Sequence, residues 1–247
     1  MLIEIYLFFV FVTAAFLQTV TGFGYALVTA PLLALVLDIK DTVMLTMLTG
    51  FISTLFLLQE VKGQGSYSDV LPLISSSLVG ALFGAYAMVL ISSEWLKLFI
   101  GVVVMLSACS MFMKYELPIK HNKLTEGIIG TINGFLGTTT SVNGPLLVLY
   151  YLNSSENKAV FRGILTRYFL VVSLPMIAMA YFAGTLHIEA LWLYTIEAIP
   201  ALYLGTLLGE KLFRYIKAET FRKIALIVVF VGSIMIIGSG ASKLFLI

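Results

Sequence analysis

Charge is what this sequence has least of. Asp, Glu, Lys and Arg make up 11% of its 247 residues, against about a quarter in ordinary soluble domains. With 60% hydrophobic residues and a mean hydropathy of +1.03, a soluble chain of this length has no way to hide its apolar surface. Cysteine occurs once, as Cys109, so an intrachain disulfide and a thiolate metal centre are both excluded. Histidine occurs only at His121, in a polar linker, and at His187, in an expected loop at the end of an apolar run, which leaves no paired imidazoles for a metal site or catalysis at membrane depth. The formal net charge of +2 gives no reason to expect a nucleic-acid partner, and no motif asks for a cofactor.

What the sequence does have is long runs without charge: residues 5–37, 42–59, 70–93, 98–113, 127–155, 168–188 and 224–242, with 190–209 broken only by Glu197. A helix needs about 20 apolar residues to cross a hydrocarbon core about 30 Å thick. Backbone polar groups in lipid must bond within the segment, which selects helices over open strands. The expected fold class is therefore an all-α polytopic membrane protein embedded in the lipid bilayer. The opening residues, Met1-Leu2-Ile3-Glu4, lack a basic stretch and a small-residue cleavage site, so they read as part of a first membrane segment.

Two runs are too long for one crossing. Residues 5–37 would extend about 50 Å as one helix, yet the middle reads Gln18-Thr19-Val20-Thr21-Gly22-Phe23-Gly24. Residues 127–155 repeat the design around Asn133, Gly134 and Gly137, followed by Thr138-Thr139-Thr140-Ser141-Val142-Asn143-Gly144-Pro145. Asn is a good helix N-cap and Pro suits the first helical turn, so Asn143 and Pro145 mark a restart, with Thr21 the expected cap of the first one. Both runs are thus expected to be broken helix pairs whose tips are buried in protein or line a cavity.

The chain also repeats itself. Ile91-Ser92-Ser93-Glu94-Trp95-Leu96-Lys97 parallels Ile216-Lys217-Ala218-Glu219-Thr220-Phe221-Arg222, and each match is preceded at the same distance by a glycine pair, Gly80/Gly84 and Gly205/Gly209. These glycines suit close helix packing. The halves are residues 1–113 and 124–247, joined by a polar linker at 114–123. If each broken run dips into the membrane and returns, only Lys40, Lys97 and Lys243 fall on one side and all other basic residues on the other. A single crossing per run divides them less sharply. Basic residues gather on the cytoplasmic face, which favours dipping. Each half then has a re-entrant helix pair and three spanning helices, with legs at 5–19 and 25–37 in the first half. The odd count makes the repeats inverted, with both termini outside.

A restarting helix offers free N–H groups and a partial positive charge, so it binds an anion without a basic side chain. Gln18, Thr19, Thr21, Gly22, Phe23 and Gly24 form one candidate tip. Asn133, Gly137, Thr138, Thr139, Thr140, Ser141 and Asn143 form the other. Neither tip has a carboxylate, which argues against a cation site. The threonine hydroxyls have a plainer alternative, local bonding to their own helix. Glu197 lies eight positions into its run, where an acid suggests a proton carrier or else a side chain paired with a neighbour or reaching the interface. Arg162 and Arg167 open an apolar segment, as vestibule charges that steer anions or as helix-end side chains snorkelling to water.

At the tips the sequence resembles the sulfite exporter TauE/SafE family. The resemblance lies in residues 15–24 (Ala-Phe-Leu-Gln-Thr-Val-Thr-Gly-Phe-Gly) with Pro31-Leu32-Leu33, and in Gly130-Thr131-Ile132-Asn133-Gly134-Phe135-Leu136-Gly137 with Gly144-Pro145-Leu146 and Phe161-Arg162-Gly163. It implies a transporter, not an enzyme, that moves sulfite, sulfoacetate or a related organosulfonate across the bacterial cytoplasmic (inner) membrane. The partner it implies is a small anion; a coupling proton and a homodimer are left open. Three consecutive threonines make the second tip richer in hydroxyls than the family's glycine-heavy pattern. An anion channel uses the same helix starts, and a membrane-embedded enzyme would need paired acids or histidines at depth, which this chain lacks.

Overall fold

The computed structural model describes residues 2–112, 122–151, 158–185, 188–213, 227, 230–238 and 240–242. Most of the 114–123 linker, the 216–222 match and both histidines lie outside the described residues. Nine helices are placed in full: α1 (Leu2–Thr21), α2 (Tyr25–Leu33), α3 (Ile39–Glu60), α4 (Leu71–Leu90), α5 (Ser93–Phe112), α6 (Lys123–Thr140), α7 (Gly144–Tyr151), α8 (Lys158–Phe182) and α9 (Ile188–Phe213). Helical residues at 230–238 and 240–242 follow. Six of the described helices are long and apolar enough to cross a membrane. The chain is a multi-pass, all-helical membrane protein.

Both long runs break where the sequence indicates, each into a long and a short helix rather than two equal legs. α1 has 20 residues and α2 has 9; α6 has 18 and α7 has 8. α1 begins earlier than expected because Glu4 suits the positive end of a helix. It persists to Thr21, where Gly22 takes φ +84°, a conformation open to glycine at little cost. α2 ends early, in short-range turns in which Leu35 and Val36 N–H donate to the carbonyls of Leu32 and Leu33.

The two breaks share one local device. Thr21 Oγ1 accepts from Phe23 N–H at 3.3 Å, and Thr140 Oγ1 accepts from Val142 N–H at 3.0 Å. Thr21 therefore closes the turn after α1 and does not cap α2, whose N-cap is Gly24. Between them, Gly22 and Ser141 both lie in the left-handed region, Ser141 at φ 61°. A non-glycine residue is uncommon there, and Ser141 is held by its Oγ donating to the Val43 carbonyl at 2.8 Å.

Each short helix then returns along the long one. Tyr6 OH, near the start of α1, donates to the Leu32 carbonyl near the end of α2 at 2.9 Å. In the second half, Tyr150 OH at the end of α7 donates to Glu126 Oε1 in the first turn of α6 at 3.2 Å. Both pairs are antiparallel hairpins.

The glycine pairs bring the halves together crosswise. Gly80 and Gly84 of α4 press on Thr131, Phe135 and Thr138 of α6, while Gly205 and Gly209 of α9 press on Val12, Phe16 and Thr19 of α1. The α6 partners stand 119 residues after their α1 counterparts, so the same contact is made twice with the halves exchanged. The fit is tight: a Cβ at Gly80 would lie 1.8 Å from the Thr131 carbonyl oxygen, and one at Gly205 would lie 2.4 Å from that of Val12. In lipid, where burying apolar surface gives little drive, such backbone approach is a main source of helix association.

Burial follows the membrane pattern. Leu82, Phe83, Tyr86 and Leu90 of α4 point outward, as do Trp192, Leu193, Ile196 and Tyr203 of α9. Gln18, Thr46, Ser53, Thr54, Asn133 and Arg162 are buried within.

Candidate functional site

The two hairpin tips meet. A Cβ on Gly144, the first residue of α7, would lie 3.1 Å from Phe23 Cβ in the first tip. Around this junction opens a small, partly open cavity of about 70 Å³, several times the space one water needs. The first tip contributes Gln18, Phe23, Gly24 and Tyr25, and the second Gly137, Ser141, Asn143 and Gly144. α3 supplies Thr46, Met47, Gly50, Phe51 and Thr54; α8 supplies Phe169, Ser173 and Met176.

Two helix starts border this space. α2 begins at Tyr25 after Gly24, whose φ is +93°, and no side chain caps it. α7 begins at Gly144, with Pro145 in its first turn. The first-turn N–H groups of a helix have no partner within it. Asn143 lies just ahead of α7, and its amide folds over Gly137, where a Cβ would come within 2.8 Å of Nδ2.

The polar side chains fall into two groups. Gln18 is fixed from both ends: its Nε2 donates to Thr54 Oγ1 at 3.0 Å, and its Oε1 accepts from Ser53 Oγ at 2.6 Å. Tyr25 OH and Thr46 Oγ1 are different. Both are buried and both residues line the cavity; Thr46 Oγ1 has no hydrogen-bond partner among the described residues, and Tyr25 OH lies beside the Thr49 side chain without a well-formed bond to it. A buried hydroxyl without a well-formed bond carries a desolvation cost.

The remaining sequence candidates sit behind the lining. Thr138, Thr139 and Thr140 donate to the carbonyls of Gly134, Phe135 and Leu136 in their own helix, at 3.0, 2.7 and 2.7 Å. Thr19 Oγ1 likewise donates to Ala15 at 2.9 Å. Gly22 packs on the α8 backbone, where its Cβ would lie 3.0 Å from Arg162 Cα. Asn133 donates to Tyr168 OH at 2.7 Å, which in turn pairs with Ser77 Oγ at 2.6 Å.

Arg162 neither snorkels nor faces the cavity. It is 3% exposed, and Nη1 donates to the Thr19 carbonyl at 2.9 Å and to Glu210 Oε2 at 3.1 Å. A cation at the carboxyl end of α1 suits the negative pole of that helix. Arg167 donates to the carbonyls of Gln64 and Gly163 and stacks 5.5 Å from the Tyr67 ring. Glu197 is exposed on α9 and borders a separate cavity with Glu4, Leu7, Phe8 and Phe11. It stands level with the first turns of α1, well away from the tips. Among the described residues, no group of three His, Cys, Asp or Glu side chains is placed to hold a metal ion.

Several lining residues escape a reading of the tips alone, above all Tyr25, Thr46, Phe51 and Phe169. One signal was available: Thr42, Thr46, Thr49 and Ser53 recur at helical spacing inside an apolar run, and all four are buried on one side of α3.

A bundle with an apolar exterior and an uncharged polar cavity between two broken helices defines a membrane transport protein. The chain belongs to the sulfite exporter TauE/SafE family, whose pattern matches residues 7–236. That family comprises membrane transporters of sulfur anions such as sulfite. Neither a curated protein nor a solved structure matches the chain.

Proposed function

We propose that the protein is a secondary transporter of a small sulfur-containing oxyanion, bound between the two hairpin tips near the middle of the bacterial cytoplasmic membrane. The observation that carries this reading is the convergence of two helix N-termini on one cavity lined by Tyr25 and Thr46, whose buried hydroxyls make no well-formed hydrogen bond. Helix starts attract anions through their N–H groups and dipoles, and irregular backbone at membrane depth is tolerated where it lines a cavity.

The two halves form inverted repeats with re-entrant hairpins. Three features support this. The crosswise glycine contacts repeat with the halves exchanged. Both hairpins close on themselves through a tyrosine. Basic residues segregate to one face when both hairpins dip. Alternating access then follows from rocking one half against the other around a fixed site.

The test uses detergent-purified protein and liposomes. Sulfite, sulfate, thiosulfate, sulfoacetate and taurine are screened for thermal stabilisation, since a ligand bound only to the folded state raises its stability. Counterflow is then measured with the best ligand. Gly24→Val blocks backbone approach, and Asn143→Ala removes an amide at the α7 start; both should abolish or sharply weaken binding and flux. Wild-type affinity and flux in both variants would place the site elsewhere, and single-channel currents without counterflow would overturn the carrier.

A further inference from the structure

The lining of the cavity contains no Asp, Glu, Lys, Arg or His. The Arg162 guanidinium, behind the first tip, is engaged by the Thr19 carbonyl and the Glu210 carboxylate. What positive potential the site has comes from the starts of α2 and α7, each equivalent to about half a unit charge. Together they balance about one negative charge. A doubly charged anion would leave about one unit uncompensated in a largely apolar enclosure, which is costly.

The neutral groups add a second constraint. Neither Tyr25 OH nor Thr46 Oγ1 makes a well-formed hydrogen bond, and both residues are at least nine-tenths buried, at 5% and 2% exposure. A third comes from the walls: Phe23, Met47, Phe51, Phe169 and Met176 line the same space. A bare oxyanion leaves these surfaces to water, whereas an aliphatic substituent covers them, and methionine adapts its shape to what it meets. No lining carboxylate is present to pair with an ammonium group.

We propose that the cavity selects a singly charged sulfonate bearing an apolar substituent, with the Tyr25 and Thr46 hydroxyls donating to its oxygens, and discriminates against dianions and aminosulfonate zwitterions. This rests on the reading that a sulfur anion binds between the tips, and it narrows that reading to a charge state and a shape. Methanesulfonate, propanesulfonate, sulfate and taurine are titrated into the purified protein at one ionic strength. Affinity should rise about fourfold for each methylene buried, and sulfate and taurine should compete poorly. Tyr25→Phe and Thr46→Val, which keep the side-chain shape, should each weaken propanesulfonate about tenfold while leaving the unliganded melting temperature and the chain-length trend in place.

Sulfate binding as tightly as propanesulfonate, an affinity indifferent to chain length, or wild-type affinity in both hydroxyl variants would each overturn the proposal while leaving an anion site standing. Failure of every sulfur anion to bind would overturn that site and the proposal together.

Discussion

Replacing Arg162 by Met should loosen the first hairpin tip without acting through anion capture. The Arg162 side chain is 4% exposed, and Glu210 is 27% exposed. The substitution keeps an unbranched apolar stem but removes two charge-assisted hydrogen bonds, to the Thr19 carbonyl at 2.9 Å and to Glu210 at 3.1 Å. Bonds of this kind are worth about 1.5–3 kcal/mol each. Glu210 recovers part of its loss from solvent, whereas the Thr19 carbonyl, at the end of α1, does not. A net cost of about 2–4 kcal/mol follows. For a chain of this size that lowers the melting temperature by about 5–12 °C, measurable in detergent by intrinsic fluorescence.

The companion variants are Glu210→Gln and the double mutant, which should show a coupling of about 1–3 kcal/mol because the two side chains are in contact. A steering role for Arg162 makes the opposite forecast. Stability would be kept, and anion association would slow in a way that added salt erases, since exposed charges are screened over about 8 Å at physiological ionic strength. An unchanged melting temperature together with a salt-dependent loss of association rate would refute the anchoring argument.

Two further outcomes follow from the packing. Gly80→Ala and Gly205→Ala place a Cβ within 1.8 and 2.4 Å of a facing carbonyl oxygen. Each should cost at least about 2–3 kcal/mol in thermal melts by forcing helices apart. Gly127→Ala, with nothing within 4 Å, should be neutral or stabilising by up to about 1 kcal/mol; equal losses at all three positions would contradict the close-contact account. After Cys109→Ser, single cysteines at the exposed positions Ser68 and Ser92 should label from opposite faces of sealed vesicles, Ser68→Cys from the cytoplasmic side. Labelling from one face would break the inverted arrangement.

The membrane class, the positions of both breaks and the two helices that pack closely through glycine were legible in the chain; the helices they meet were not. Each legible feature depends on a local or periodic property. Charge-free length decides what crosses lipid. Gly22, Gly24 and Pro145 alter the backbone where they stand, whatever surrounds them. The glycine pairs announce close contact because removing side chains from one stripe of a helix has little other use in lipid.

Which polar residues line the cavity was decided only by the tertiary structure. Thr138, Thr139 and Thr140 look like donors in sequence, yet their hydroxyls turn back onto α6 carbonyls, since a threonine in a helix has that acceptor within reach. Tyr25 and Thr46 look like ordinary membrane residues, yet they line the cavity because α2 folds back beside α1 and α3 passes behind it. Arg162 and Glu197 exchanged their expected settings for the same reason. The arginine is buried because Gly22 lets the tip settle on α8, and the acid is exposed because α9 runs beside α1 in register with its first turns. A sequence determines which residues can break, cap or span. Which face of a helix becomes interior is a property of how separate helices dock, set by contacts between residues more than a hundred positions apart.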